Sequence, residues 1–106
     1  MNSEDLNKNA GFSNALNWIK SGYRVQREGW NGKNMFIFLR GGESIPKEIT
    51  MNIKSIQQDV KEFMINTNTQ MVFASHIMMF TADKKLVPWL ASQTDILAED
   101  WSVVNK

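Results

Sequence analysis

The chain has 106 residues, with 12 Lys and Arg against 11 Asp and Glu, for a formal charge of +1. That balance excludes the strong positive field which a binder of polymeric nucleic acid or of a membrane surface needs. The absence of cysteine excludes disulfides, thiolate metal sites and a Cys nucleophile, and the single histidine, His76, excludes most histidine metal sites and any triad needing two.

The length predicts one domain over residues 1–106, with a core large enough to need no staples. Residues 1–10 are polar and Asn-rich, and read as a flexible lead-in without the apolar core of a signal peptide. No apolar run approaches the ~18 residues of a membrane span. A cytoplasmic location without membrane contact is therefore expected.

In chain order, Phe12, Ala15, Leu16 and Ile19 fall at helical spacing, with Ser13 as the expected N-cap and Gly22 as the stop. Residues 23–28 alternate as a strand does, and the Gly29-Trp30-Asn31-Gly32 turn follows. The apolar run 35–39 predicts a second, central strand, ended by Gly41-Gly42. Ile45, Ile49, Ile53, Ile56, Val60, Phe63 and Met64 form the clearest helical stripe in the chain. Pro46 sits near its start, and Thr50 or Asn52 could cap a second piece if it breaks. Residues 66–69 form a polar loop.

Residues 71–80 are apolar on both faces and read as one buried strand. A turn at 81–85 leads into a fourth strand at 86–90, which Pro88 confines to an edge or a bulge. Ser92 and Asp95 have capping-box spacing, so a helical turn is expected there. Residues 100–104 read as a last strand. The expected fold is α+β, a mainly antiparallel sheet of about five strands with two helices packed on it. The surplus of large apolar groups (seven Met, six Phe and four Trp) adds the expectation of a homo-oligomer.

Catalysis would need placed titratable groups. Asp95, Glu99 and Asp100 are close in sequence, and Asp95 and Glu99 would share a helix face, but a solvated helical turn explains them equally well. His76 reads as a core or ligand-contacting histidine. No Walker-type loop or dinucleotide fingerprint is present, and Gly41-Gly42 alone is a weak signal. No catalytic residue, metal site or cofactor is therefore expected.

Binding has better support. Trp30 beside an Asn-Gly turn needs a cover, which could be a stacked base, another subunit or its own loop. Arg24 and Arg27 could meet a phosphate, though surface arginines are usually only surface. Residues 92–95 place four polar side chains where a strand runs into a helix start. They suit phosphate or hydroxyl recognition, with Asp95 accepting from ribose hydroxyls, or they simply cap the turn.

Two stretches carry a resemblance. Residues 27–39 (Arg27-Glu28-Gly29-Trp30-Asn31-Gly32-Lys33-Asn34-Met35-Phe36-Ile37-Phe38-Leu39) resemble the core motif of a small phage and bacterial family. Residues 87–101, from Val87-Pro88-Trp89-Leu90-Ala91-Ser92-Gln93-Thr94-Asp95 through Ala98-Glu99-Asp100-Trp101, resemble its long C-terminal signature. With the amphipathic segment 12–24 these cover about half the chain, in the family's order. The chain thus resembles the Thoeris anti-defence 2 sponges. Two departures are visible: the helix-like segment 45–64 stands where those proteins have loops of varied length, and Asn34 stands where they often have Gly.

The resemblance implies a phage anti-defence protein that binds glycocyclic ADP-ribose made by bacterial TIR-domain proteins. It would sequester the ligand uncleaved in pockets between the subunits of a homotetramer, in the host cytoplasm. Some such proteins also hold cyclic di- or trinucleotides of the CBASS type at a separate site. Carried over by motif, Trp30 stacks the adenine, Phe36 or Phe38 lines the pocket, and Asn31 bonds polar edges. Ser92, Gln93, Thr94 and Asp95 address ribose hydroxyls or the pyrophosphate, and Arg27 supplies charge. The alternatives are a small oligomeric structural or interaction module, and a nucleotide-degrading enzyme using Asp95, Glu99 or Asp100.

Overall fold

The computed structural model describes residues 8–30 and 33–104. In chain order the elements are α1 (Phe12–Lys20), β1 (Val25–Arg27), a 3-10 turn (Glu28–Trp30), β2 (Phe36–Arg40), β3 (Glu43–Ile45), a longer 3-10 helix (Lys47–Asn52), α2 (Gln58–Asn66), β4 (Met71–Phe73), β5 (His76–Phe80), β6 (Leu86–Pro88), α3 (Gln93–Leu97) and β7 (Trp101–Val103). The class is α+β. The chain forms two compact units, one running up to Arg40 and again from His76, the other spanning Gly41–Ser75.

The first unit is built on a five-stranded sheet in the order β6-β5-β2-β1-β7. Every neighbouring pair is antiparallel. The run at 35–39 becomes β2, which lies at the centre as its unbroken apolarity predicts. Pro88 lies in edge strand β6, where a missing N–H costs no ladder bond.

Ala15 and Ile19 of α1 are fully buried against Val25, Ile37 and Trp101. Fully burying side chains such as Val25 and the two isoleucines stabilises by about 1.5–3 kcal/mol each. The N-cap of α1 is Gly11, whose carbonyl accepts the Ala15 N–H at 3.2 Å, and not Ser13, which lies inside the first turn. The apolar stripe requires Phe12 to be helical, so the boundary falls one residue before it. At the other end Gly22 has φ +95°, and its N–H reaches the Ile19 carbonyl at 3.0 Å, the left-handed stop that glycine makes easy.

Side chains alternate across a strand. With Ile37 buried toward α1, Phe36, Phe38 and Arg40 face the other side of the sheet. Their register partners Phe80, Met78 and His76 lie on that side too.

The second unit corrects two expectations. The stripe at 45–64 is not one helix: Ile45 ends a strand, residues 47–52 form a 3-10 helix after Pro46, and only 58–66 are α-helical. Neither Thr50 nor Asn52 caps the second piece, whose N-cap is Gln57 without a side-chain bond. The stripe is also unevenly covered: Ile45 is buried, but Ile49 and Val60 are exposed and Phe63 is 60% exposed. Ile45 and Met71 are buried in this unit, and with them two polar residues, Thr50 and Lys61, whose Nζ donates to the carbonyls of Ile53 at 2.8 Å and Met51 at 3.2 Å. That ammonium satisfies carbonyls at the end of the 3-10 helix.

The expected single strand at 71–80 is two strands. Met71–Phe73 pairs with β3 in a two-stranded ribbon, whereas His76–Phe80 belongs to the five-stranded sheet. In the ribbon a Cβ at Gly42 would sit 2.8 Å from the Phe73 carbonyl oxygen, so glycine is required there. Among the described residues, no helix is long and apolar enough to cross a membrane.

Candidate functional site

Arg27 ends β1 directly opposite Trp101, the first residue of β7. Its side chain is only 16% exposed, and its guanidinium is held by two carboxylates from distant parts of the chain. Nη1 donates to Asp95 Oδ1 at 2.8 Å, Nε to Asp100 Oδ1 at 2.9 Å, and Nη2 more weakly to Asp100 Oδ2 at 3.5 Å. The Gly29 N–H also donates to Asp100 Oδ2, at 2.8 Å. A Cβ at Gly29 would lie 3.0 Å from that oxygen and 3.1 Å from Arg27 Nη2, so the turn after β1 fits tightly round the ion pair.

The residues at 92–95 adopt the capping box that their spacing predicts. Ser92 Oγ accepts the Asp95 N–H at 3.0 Å and donates to Asp95 Oδ2 at 2.9 Å, and the Ser92 N–H donates to the same oxygen at 3.3 Å. Helix α3 ends at Leu97, so Glu99 lies beyond it and does not share a helix face with Asp95. Gln93 and Thr94 are exposed on the first turn.

Both carboxylates are pulled below their ordinary range. For Asp100 the main cause is the hydrogen bond from Arg27; burial opposes it and the Gly29 N–H adds to it. For Asp95 burial alone would raise the value, but the bonds from Arg27 and Ser92 outweigh it. Each acid therefore stays ionised well below neutrality, the reverse of what a general acid at pH 7 needs.

Trp101 joins this knot to the core. It is fully buried, and its Nε1 donates to the Asp95 carbonyl at 2.9 Å. Trp30 stands against its ring, and Trp89 and Phe12 pack on it from other directions. The cover that Trp30 needs is thus in part its own chain, although it remains half-exposed.

The structure brings Arg27, Trp30, Ser92 and Asp95 together round Trp101, with Gln93 and Thr94 beside them. Asn31 lies outside the described residues. Phe36 and Phe38 are on the opposite face of the sheet, half-buried, with their ring centroids 6.0 Å apart. Phe80 stacks on Phe36 at 5.0 Å, and the Arg24 guanidinium lies 5.3 Å from the Phe36 ring centre. His76 begins β5 on that same face rather than standing mid-strand.

A cleft of about 440 Å³ opens beside the ion-pair knot, lined by Lys8, Gln26, Arg27, Glu28, Asp100 and Ser102 among others. Its charges balance, and neither Trp30 nor residues 92–95 line it. Among the described residues, no group of three or more His, Asp or Glu could hold a metal ion.

Sequence reasoning weighed Asp100 only as a possible acid or base and passed over Trp101. The signal was available, since both belong to the signature at 87–101. It also missed the supporting role of Arg24 and Phe80, whose proximity to Phe36 depends on strand register.

The comparisons point the same way as these stretches. A Thoeris anti-defense 2-like domain model matches residues 10–104. The chain is 39% identical over 94 residues to the Thoeris anti-defense 2 protein of Bacillus phage SP01, covering 89% of this chain and 93% of that protein.

Proposed function

The chain belongs to the Thoeris anti-defense 2 family, and from that premise we propose that it binds a cyclic nucleotide immune signal, glycocyclic ADP-ribose, and holds it uncleaved so that the Thoeris effector stays silent. The observation that carries this reading is the 2.8 Å bond between Arg27 and Asp95. It makes one surface from two signature stretches 68 residues apart, and it ties up a carboxylate that a nucleotide-cleaving enzyme would need to titrate. A sequestering protein needs affinity and no turnover, and ~1 nM binding corresponds to ~12 kcal/mol.

In this reading Trp30 offers its exposed side to the adenine, Asn31 bonds a polar edge, and Ser92, Gln93, Thr94 and Asp95 lie toward the ribose hydroxyls and pyrophosphate. Arg27 contributes local charge. Phe36 and Phe38 line the pocket from the other face of the sheet. One chain cannot direct both faces at one small ligand, so a pocket using Trp30 and Phe36 takes them from two subunits. A homotetramer with intersubunit pockets, acting in the host cytoplasm, supplies that geometry. Cyclic di- and trinucleotides of the CBASS type are further ligands to screen.

A second reading, an oligomeric interaction module, draws on Leu90 and Leu97, which are 91% and 76% exposed. The deciding experiment mixes the protein with glycocyclic ADP-ribose, separates the complex, heats it and analyses the released nucleotide. Recovery of intact ligand supports sequestration. A cleaved product means an enzyme, and no retained nucleotide with a stable oligomer means the interaction module.

A further inference from the structure

A cavity of about 160 Å³ lies wholly within the Gly41–Ser75 unit, lined by Lys47, Thr50, Met64, Ile65, Asn68 and Thr69. It has room for a body the size of a benzene ring. It is too small for a nucleotide, since drug-sized ligands need about 300 Å³ or more.

Local structure sets its walls. Lys47 and Thr50 are three residues apart on the 3-10 helix, where that spacing eclipses two side chains about 6 Å apart along the axis. They therefore share one wall. Met64 and Ile65 belong to the last turn of α2. Asn68 follows that turn with φ +54°, its N–H on the Ile65 carbonyl at 3.0 Å, a left-handed stop that asparagine tolerates.

The polar groups on these walls are donors in excess. Thr50 is 1% exposed, and its hydroxyl makes no hydrogen bond to any described residue. Among the described residues no fully buried side-chain oxygen lacks a partner, so this hydroxyl keeps the residue's small remaining exposure, and the cavity is the opening that Thr50 lines. Lys47 Nζ uses two of its three donors on Asn68, at 2.7 Å to Oδ1 and 3.4 Å to the carbonyl. No carboxylate among the described residues pairs with it. The Asn68 amide accepts from Lys47 and gives neither of its own N–H groups to a described residue.

None of the six lining residues is acidic. The end of α2 brings about half a negative charge, which the full charge of Lys47 outweighs. A cavity with an apolar wall, unused donors and one cation without a carboxylate suits an anion that carries a hydrocarbon body. A bare inorganic anion would leave Met64 and Ile65 uncovered.

We propose that this cavity binds a small monocarboxylate whose apolar body is about the size of a benzene ring. The body packs on Met64 and Ile65, and the carboxylate accepts from the Lys47 ammonium, the Asn68 amide and the Thr50 hydroxyl. The site does not rest on the nucleotide reading and stands or falls without it.

The test titrates the full chain, labelled with nitrogen-15, with benzoate, and in parallel with acetate, inorganic phosphate and benzamide. Millimolar benzoate should give saturable amide shifts centred on residues 47–50 and 64–69. Acetate and phosphate lack the ring and should bind about tenfold or more weakly, and benzamide lacks the charge and should bind at least about threefold more weakly. Thr50→Val removes a hydroxyl that has no partner in the free protein. It should keep or raise the melting temperature while the Kd for benzoate rises about threefold to tenfold. Lys47→Gln should weaken benzoate by a similar factor and leave benzamide unchanged.

No saturable shift at those residues in the wild-type chain overturns the site, and needs neither variant to fold. Acetate or phosphate binding as tightly as benzoate reduces it to a surface cation, and benzamide binding as tightly overturns the carboxylate. An unchanged benzoate Kd in Thr50→Val takes that hydroxyl off the ligand, and a lowered melting temperature assigns it to the fold instead.

Discussion

Trp30 stands edge-on to Trp101, with ring centroids 5.4 Å apart and planes at 82°. The edge of one indole meets the face of the other, an arrangement that adds about 0.5–1.5 kcal/mol beyond the area it buries. One side of Trp30 therefore belongs to the fold, while the ring as a whole remains partly exposed.

Trp30→Ala should accordingly show two separable effects. Losing the edge-to-face contact lowers the melting temperature by several degrees, at about 4–8 °C per kcal/mol for a domain near this size. Losing a stacked base weakens nucleotide binding by a further ~1–3 kcal/mol. Scanning calorimetry and titration of the same sample separate them. A fall in melting temperature with unchanged Kd would leave Trp30 a purely structural residue.

Trp101 should be far less tolerant. Replacing a fully buried Trp by Ala costs about 3–5 kcal/mol, a large share of a total near 5–15 kcal/mol. Trp101→Phe keeps most of the apolar contact but strands the Asp95 carbonyl that the indole N–H satisfies, at ~1–3 kcal/mol. Chemical denaturation should rank the chains wild type, Trp101→Phe, Trp101→Ala in falling stability.

Acid stability follows from the same knot. Asp95 and Asp100 have folded-state values below the unfolded ~3.9. A depressed folded value gives stability that is fully present above the unfolded value and lost as pH falls through the folded one. The melting temperature should hold from neutrality to about pH 5 and drop below about pH 4. Asp95→Asn and Asp100→Asn should each start lower at neutral pH and show a shallower acid limb. A limb of unchanged steepness in both would mean that other carboxylates carry the acid transition.

In the Gly41–Ser75 unit the buried Lys61 ammonium holds the carbonyls of Met51 and Ile53. Lys61→Met keeps the aliphatic bulk but removes both bonds, each unsatisfied carbonyl costing about 1–3 kcal/mol where water cannot reach it. Hydrogen exchange across 47–66 should quicken in that variant and much less in Lys61→Arg. Equal protection in wild type and Lys61→Met would show that packing alone holds this segment.

Legibility in the sequence tracked the range of the interaction. The capping box at Ser92, the left-handed stop at Gly22 and the edge position of Pro88 are set by residues within a few positions, and each was readable. The unbroken apolarity of 35–39 placed β2 at the centre of its sheet because both of its faces carry large side chains. The stripe at 45–64 misled because periodicity reports spacing and not cover: its apolar residues keep a helical interval through a strand end, a 3-10 helix and a helix on which Val60 and Phe63 are exposed. The break at Ala74-Ser75 was hidden because apolar side chains flank it on both sides.

At the site the limit was sharper. Arg27 meets Asp95 and Asp100, 68 and 73 residues away, and no local pattern predicts which arginine a distant carboxylate will choose. The position of Phe36 and Phe38 on the face opposite Trp30 depends on which side of β2 is buried, and thus on where α1 packs.

The claim that the protein traps a nucleotide signal and leaves it whole meets its most direct test in a calorimetric titration with glycocyclic ADP-ribose, followed by mass analysis of the cell contents. Saturable heat with a Kd near the nanomolar range and an unchanged ligand mass is the expected result. No heat at ligand concentrations far above that range, or a shift to the mass of an opened or split nucleotide, would contradict it.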